Sequence, residues 1–343
     1  MVERGWDTIV LGDGPVGLTT ALIAARYGRV LVVLPRSASP VGKFRVDCVP
    51  AALLALFIEL GLHPKQLGAS SVFNHRLVAW SETTPKIVRG AGTIHLLRPV
   101  LEHCLLQRAR TQQAISFAFD LSLDALPKTS RILDATGRRA ATASSSHSPQ
   151  NPALLRALIV RGTFSRAQQA FRLACLPTGY AYRLGTQDYL MLGLVQGKQQ
   201  WRESVGGIAD QICSAGAEWL LAGIPDAGDG GGIGGVASVQ WASATGPAVA
   251  IGDASFARDA LASQGIANGI SGGLSLLEDR GGNRSYCRRI RGEVLSHTAT
   301  LQRLVHSCVH SRHPYWQGYA DFLARLESDF LTNGVTQGGT GPG

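Results

Sequence analysis

Two glycine turns, far apart in the chain, constrain its fold more than any other feature. The first follows an apolar segment, Trp6-Asp-Thr-Ile-Val-Leu11, and reads Gly12-Asp-Gly14-Pro15-Val16-Gly17. A helix through Ala21-Leu-Ile-Ala-Ala25 and a second apolar strand, Val30-Leu-Val-Val-Leu34, follow it. A G-x-G-x-x-G spacing alone is weak, but strand, turn, helix and strand within about thirty residues is the setting that gives it meaning. There Gly12 allows the tight bend, Gly14 lets the backbone approach a pyrophosphate, and Gly17 with Ala21 lets the helix lie close on the strand. The helix start at Pro15 and Val16 offers free N–H groups and the positive end of a dipole to phosphates. Dinucleotide binding is the expectation.

The second turn closes another apolar strand: Val249-Ala-Ile251, then Gly252-Asp253-Ala254, then Asp259-Ala-Leu-Ala-Ser263-Gln264-Gly265-Ile266. Asp253, at a strand end, can accept hydrogen bonds from the ribityl hydroxyls of a flavin. A helix opening at Gln264, Gly265 and Ile266 would aim N–H groups at the N1–C2=O edge of the isoalloxazine and stabilise the reduced anion. Together the two turns point to FAD held from both ends. The second strand, however, ends Leu34-Pro35-Arg36, without the carboxylate that holds an adenosine ribose. Backbone groups or Arg36 are left for that contact, and an NADP preference through Arg36 is the alternative.

With 343 residues, 45% of them hydrophobic and 17% charged, the chain can bury a full core and divide into two domains. No apolar run is long enough to span a bilayer, and no signal peptide precedes the first strand, so a soluble cytoplasmic protein is expected. The net charge is +9, yet no array of basic and aromatic residues suits nucleic acid. The basic surface is either simply solvated or attracts an acidic substrate, cofactor or partner protein. Cysteines 48, 104, 175, 213, 287 and 308 show no CxxC, which fits reduced thiols better than disulfides or zinc. His306, Cys308, His310 and His313 do not present four ligands from one helical face, so no metal site is expected.

Residues 50–60 carry apolar residues at helical spacing up to Gly61, 72–80 reads as a strand, and 98–110 as a helix opened by Pro99. Ile132-Leu-Asp134 runs into a turn at Gly137, and 141–152 reads as the clearest loop. Strands around 156–164, 178–184 and 188–195 follow, then a helix near 201–222, a glycine-rich loop over 226–235, and helices over 265–277 and 284–308. The implied fold class is α/β, with a Rossmann-type (GR2-like) FAD-binding domain built from residues 1–70, 96–150 and 244–285. A sheet-based substrate domain is inserted at 71–95 and 151–243. C-terminal helices would occupy 286–330 and a disordered tail 331–343.

These motifs resemble the FAD-dependent monooxygenases of the para-hydroxybenzoate hydroxylase type and the flavin-dependent halogenases. The likeness covers Asp7–Arg36, Arg45–Leu62, Arg98–Arg108, Asp134–Arg138 and Gly252–Gly269. It implies that Arg98 contacts FAD from its helix and that Arg45 lies near the isoalloxazine or ribityl chain. The stretch Asp259–Gly265 is similar to the family's Asp-Pro-x-x-x-x-Gly, with Ala260 where the proline stands. Asp134-Ala-Thr-Gly137 is nearer the halogenase form than the Asp-Gly form of NADPH-using hydroxylases. Electrons are therefore expected from NAD(P)H or from a separate flavin reductase. The halogenase Trp-x-Trp-x-Ile-Pro stretch has only Tyr180-Ala-Tyr182-Arg-Leu-Gly185 as its counterpart. Lys43, Lys65 and Lys86 read as surface residues rather than as the lysine that handles hypohalous acid, so halogenation is disfavoured. A narrower likeness is carried by Arg45-Val-Asp-Cys-Val-Pro-Ala-Ala-Leu-Leu54, Val78-Ala-Trp80 and Ser263-Gln-Gly265. It is to flavoproteins that hydroxylate a tryptophan of a partner protein during tryptophylquinone cofactor biogenesis.

The resemblance implies an FAD-dependent monooxygenase that uses O2, through a flavin C4a-hydroperoxide, to hydroxylate an aromatic ring. The expected substrate is a peptidyl tryptophan in a quinone-cofactor precursor protein. A small-molecule aromatic hydroxylase, a flavin-dependent halogenase or amine oxidase, and a non-catalytic flavoprotein assembly factor are the alternatives. No side chain stands out as a general base. Asp47 and His75 are the candidates, because they flank the expected flavin face and the insertion hinge.

Overall fold

The computed structural model describes residues 5–34, 45–119, 121, 126–127, 130–147, 153–198, 207–224, 235–236, 240–244, 248–258, 265–278 and 283–333. The first half holds β1 (Thr8–Leu11), α1 (Pro15–Ala24), β2 (Val30–Leu34), β3 (Val46–Pro50), α2 (Leu53–Glu59), β4 (Phe73–Ala79), β5 (Lys86–Leu97), α3 (Arg98–Arg110), β6 (Ile115–Phe119), β7 (Arg131–Asp134) and β8 (Ala143–His147). Next come β9 (Ala153–Arg161), α4 (Arg166–Gln169), β10 (Arg172–Leu176), β11 (Gly179–Gly185), β12 (Tyr189–Gly197) and α5 (Ile208–Ser214). Short strands β13 (Gly235–Val236), β14 (Gln240–Ala244), β15 (Ala248–Ala250) and β16 (Phe256–Ala257) lead to three long helices. These are α6 (Gly265–Glu278), α7 (Asn283–Ser307) and α8 (Pro314–Asn333).

The uninterrupted apolar runs of β1 and β2 follow from burial on both faces, as parallel strands under helices require. They form a parallel sheet in the order β15-β7-β1-β2-β6. Alternate residues serve two cores. Val10, Val30 and Val32 pack with Leu18 and Leu22 of α1, Leu101 and Leu105 of α3, and Ile266 and Ile270 of α6. Ile9, Leu11, Leu31, Val33 and Ile132 face the other way.

Glycines set how closely these layers meet. Gly12 has φ +111°, and a Cβ there would lie 2.6 Å from the Ala135 carbonyl oxygen. A Cβ on Gly17 would lie 2.5 Å from the Gly12 carbonyl oxygen, so the helix sits against its own turn. On α6, a Cβ at Gly269 would meet Val16 Cγ2 at 2.5 Å and the Gly252 Cα at 3.0 Å. The Val16 side chain of the first turn therefore seats on the bare backbone of Gly252 and Gly269, joining two turns that lie far apart in sequence.

A second, eight-stranded sheet runs β13-β9-β12-β11-β10-β4-β5-β3, antiparallel except where β10 meets β4. One face is covered by α7 and α8, whose Val294, Leu301, Val305, Trp316 and Leu323 join Tyr180, Tyr182, Met191 and Val195. Two indoles fasten that layer: Trp80 Nε1 donates to the Leu304 carbonyl and Trp316 Nε1 to the Leu176 carbonyl, each at 2.8 Å. The opposite face is covered by α5 and a 3-10 turn at Glu218–Leu220.

Several expectations need correction. The stretch 141–152 is not simply a loop: Ala143–His147 pairs antiparallel with Gln240–Ala244 in a three-stranded sheet with β16. Its serine run carries no apolar alternation, so only the distant partner strand reveals it. The helix near 201–222 contracts, among the described residues, to α5 and the 3-10 turn, interrupted at Gly216 with φ +72°. The expected loop over 226–235 and the tail beyond 333 lie outside the described residues, except Gly235, which begins β13. Strands β3, β5, β6 and β10 were not legible as such.

Gly269→Ala tests the helix contact. Alanine gains about 1 kcal/mol of helix propensity, but its methyl must displace stiff Val16 and the Gly252 backbone, an overpacking cost of about 1–3 kcal/mol. The expected net is destabilisation, read as a lower denaturation midpoint with unchanged m-value; a stabilised variant would refute the close contact.

Candidate active site

The carboxyl ends of β1, β7 and β15 open into a cleft of about 200 Å³, the usual place for a ligand in a parallel α/β sheet. One wall is backbone-rich: Gly14, Pro15 and Val16 from the start of α1, Ala135 and Gly137 after β7, and Gly265 and Ile266 from the start of α6. The facing wall comes from the second sheet, with Leu155, Tyr182, Leu184 and Met191. Strand β3 adds Val46, Asp47 and Cys48, and the Val46 N–H donates to Met191 Sδ at 3.4 Å.

Gly14 is the N-cap of α1, and no side chain caps this helix end. A Cβ on Gly14 would meet nothing within 4 Å, so its bare side faces open cleft. Asp253 stands on the opposite rim, beside the second helix start: a Cβ on Gly265 would lie 3.0 Å from Asp253 Oδ1. Gly252, at φ +61°, makes the bend that places it there. Two helix starts, that of α1 without a side-chain cap, and a carboxylate thus converge on one space.

Charge is arranged around Asp47. The Arg98 guanidinium grips it through Nε to Oδ2 and through Nη2 to Oδ1 at 3.1 Å, while Arg45 Nε lies 3.1 Å from Oδ1. Arg98 is the first residue of α3, positioned by Pro99 and by its own N–H donating to the Arg45 carbonyl at 2.8 Å. Burial alone would raise the Asp47 carboxyl, but Arg45 and Arg98 reverse this and hold it below the ordinary carboxylate range. Burial would likewise lower Arg98; Asp47, Glu102 and Asp253 more than offset that and keep it charged. Burial pushes the Cys48 thiol up, so it is not a ready thiolate.

Two further arginines line the cleft. Arg138 donates from Nη2 to the Arg258 carbonyl at 3.0 Å; Arg258 is paired with Glu293 and lies over the Phe256 ring at 4.8 Å. Four guanidiniums against the carboxylates of Asp47 and Asp253 leave the described lining net positive, which suits an anionic ligand. The turn carrying Arg138 is fixed from below. The Asp134 carboxylate, fully buried, accepts from the N–H and hydroxyl of both Thr136 and Thr142.

Of the residues expected at the site, Gly14, Pro15, Val16, Arg45, Arg98, Asp253, Gly265 and Ile266 line this one cleft, and Gly12, Gly17 and Gly252 shape the turns behind it. Arg36 and Gln264 lie outside the described residues. Asp47 is in the cleft, but its lone pairs are engaged by two arginines and its basicity is lowered, which disfavours it as a base. His75 is exposed on β4 opposite Arg89 and does not belong to the lining. Sequence reasoning missed Arg138 and Arg258, although each adjoins a motif already singled out. It also missed the apolar wall: Tyr182 and Leu184 were noted only within the 180–185 stretch, and no local signal marks Leu155 or Met191. Lys65 is exposed, Lys86 pairs with Glu82 at 2.6 Å, and Lys43 lies outside the described residues; among the described residues no lysine lines the cleft.

No family model matches the sequence, and no curated protein matches it. Solved structures do match. A peptidyl tryptophan dihydroxylase, QhpG, essential for tryptophylquinone cofactor biogenesis, is 17% identical with a TM-score of 0.69, covering 92% of this chain and 78% of that one. The myxobacterial chondrochloren halogenase CndH is 18% identical with a TM-score of 0.70, covering 95% and 89%. The flavin-dependent brominase Bmp2 is 13% identical with a TM-score of 0.68, covering 92% and 89%. The chain thus has the fold of flavin-dependent hydroxylases and halogenases.

Asp47→Asn would take from the largely buried Arg98 its two-oxygen partner and leave it Glu102 at 3.6 Å, at an expected cost of about 3 kcal/mol. The folded carboxyl sits below its ordinary value of 3.8. Its stabilisation is therefore full above about pH 4 and is lost as pH falls through the lowered folded value. Denaturation from pH 7 to 2 should show a constant gap between wild type and variant that closes only in acid. A gap that already closes near neutrality would contradict this.

Proposed function

We propose that this chain is an FAD-dependent monooxygenase that hydroxylates an aromatic ring, with a tryptophan of a partner protein as its substrate. The observation that carries the reading is the convergence of two helix starts, a bare glycine cradle and Asp253 on one net-positive cleft. That donor set fits the cofactor. The Gly14–Val16 backbone and the start of α1 would hold the pyrophosphate, and Asp253 the ribityl hydroxyls. N–H groups at Gly265 and Ile266 would face the flavin's N1–C2=O edge. Arg98, with Arg45 and Asp47, would set the electrostatics at the flavin's flank, Asp47 serving to fix the arginines rather than to move protons.

Bound FAD, reduced by NAD(P)H or a flavin reductase, would supply the oxygen-activating chemistry. The residues facing it do simpler things. Leu155, Tyr182, Leu184 and Met191 present an apolar surface that excludes water and accepts an aromatic ring. No lining side chain is needed as a base, because an electron-rich ring can lose its proton to water after oxygen transfer. The similarity to a peptidyl tryptophan dihydroxylase and the net charge of +9 support a protein substrate.

Halogenation is the second reading, favoured by the likeness to CndH and Bmp2. Against it stand Tyr180 and Tyr182 in place of tryptophans and a described lining without lysine.

Gly14→Val should abolish FAD binding in a folded protein, since its side chain would fill the cradle; undiminished affinity in a titration would refute the pyrophosphate site. Asp253→Ala should weaken FAD by about 1–3 kcal/mol, seen as a raised dissociation constant. FAD-loaded protein, supplied with a flavin reductase, NADH, bromide and tryptophan-containing peptides, tests the reaction. Substrate-dependent oxygen uptake with one or two oxygens added to the indole is the expected result. Halogen addition would establish the second reading, and oxygen uptake with stoichiometric peroxide and amine oxidation would indicate an oxidase.

A further inference from the structure

Tyr182 belongs to the cleft wall, and a line of oxidisable rings leads away from it. Tyr182 and Tyr180 point to the same face of β11, being two residues apart on a strand, with centroids 6.5 Å apart. Tyr180 lies 6.5 Å from Trp80, and Trp80 lies 5.6 Å from Trp316. Trp316 in turn lies 5.1 Å from Tyr315 and 6.3 Å from Tyr319. Tyr180, Trp80 and Trp316 are buried, whereas Tyr315 and Tyr319 are half-buried on α8. The line therefore joins the cleft to the protein surface, through residues drawn from β11, the end of β4 and α8.

Packing alone asks only for rings or branched chains of the right volume. Here every step is tyrosine or tryptophan, the two aromatic side chains that give up an electron most readily. The Phe171 ring, stacked on Tyr182 at 6.2 Å, stands beside the line rather than in it. Electron tunnelling weakens steeply with distance, so short hops between neighbouring rings outrun one direct transfer from cleft to solvent.

We propose that this line is a radical escape route, which carries oxidising equivalents out of the cleft when oxygen chemistry there proceeds without substrate. The inference rests on the oxygen-using flavoprotein reading above. Hydrogen peroxide in the cleft, given one electron by a ferrous ion from solution and one proton from water, yields water and a hydroxyl radical; the radical takes a hydrogen atom from the Tyr182 phenol, giving a second water and a phenoxyl radical. Each later hop moves one electron and one proton inward, restoring the ring behind and leaving the radical on the next ring outward. At Tyr315 or Tyr319 a solution reductant of the ascorbate type donates a hydrogen atom and is itself oxidised by one electron. In sum, one hydrogen peroxide, one ferrous ion, one proton and one hydrogen donor become two waters, a ferric ion and a donor radical. Without the route, Met191 and Cys48 in the cleft are the sulfur atoms exposed to oxidation.

The test uses FAD-loaded protein, reduced and re-oxidised in air through repeated cycles with trace ferrous ion and without substrate or ascorbate, then mapped by peptide mass spectrometry. In wild type the marks should concentrate on Tyr315 and Tyr319. In Trp316→Phe they should retreat to Tyr182, Met191 and Cys48, and the capacity to rebind FAD should decay several-fold faster. Trp219→Phe, on the opposite face of the second sheet, should leave the wild-type map unchanged. Identical maps for wild type and Trp316→Phe overturn the route. Should Trp316→Phe not fold, Trp80→Phe breaks the same line. Should neither fold, the wild-type map decides, because marks confined to the cleft refute outward transfer. Failure to bind FAD overturns the route together with the flavin reading; FAD binding with marks that never reach α8 overturns the route alone.

Discussion

The contact on which the rest depends is the one between α1 and α6 at bare glycine. Gly269 and Gly273 offer no side chain where they cross Val16 and Thr20, and Gly252 lies in the same contact. A few ångströms there decide whether the starts of the two helices face one space or two. Both helices then contribute partial positive charge to the same cleft, which neither could do alone with comparable effect. The surrounding ion pairs make sense in that light: Asp47 restrains Arg98 and Arg45, and Glu293 restrains Arg258. The carboxylates hold positive groups at the rim without cancelling the field.

Beneath the rim, the Asp134 network performs a different task. Four hydrogen bonds from Thr136 and Thr142 wrap the loop after β7 around one buried carboxylate. An aspartate at the end of a parallel strand invites a reading as a ligand contact. Its oxygens are in fact committed to shaping the loop that brings Gly137 and Arg138 to the cleft. The motif is structural at its first residue and faces the ligand space at its last two.

How much was legible follows from which signals are local. The strand-turn-helix at Thr8–Ala24 was readable because glycine, proline and apolar run all act within a few residues, and α3 and α7 were readable from spacing and Pro99. Strand β5 was not: its first six residues are exposed, so no alternation marks them, and pairing with β4 alone keeps them extended. Strand β8 is a serine run given order by β14. At the site, the glycines and Asp253 could be named because chemistry fixes them. The apolar wall could not, since Tyr182 and Met191 become neighbours of Gly14 only when two sheets meet. Asp47 was named as a candidate base; the sequence could not show that Arg98, remote in the chain, pairs with it and lowers its basicity.

Strand β15 has a consequence for how the chain comes into being. It completes the edge of the parallel sheet beside β7, yet it leaves the ribosome long after its neighbours. Until then the backbone edge of β7 has no permanent neighbour on that side, and an open apolar edge is where misassociation between nascent chains begins. Synthesis interrupted before residue 248 would leave a four-stranded remnant with that edge uncovered.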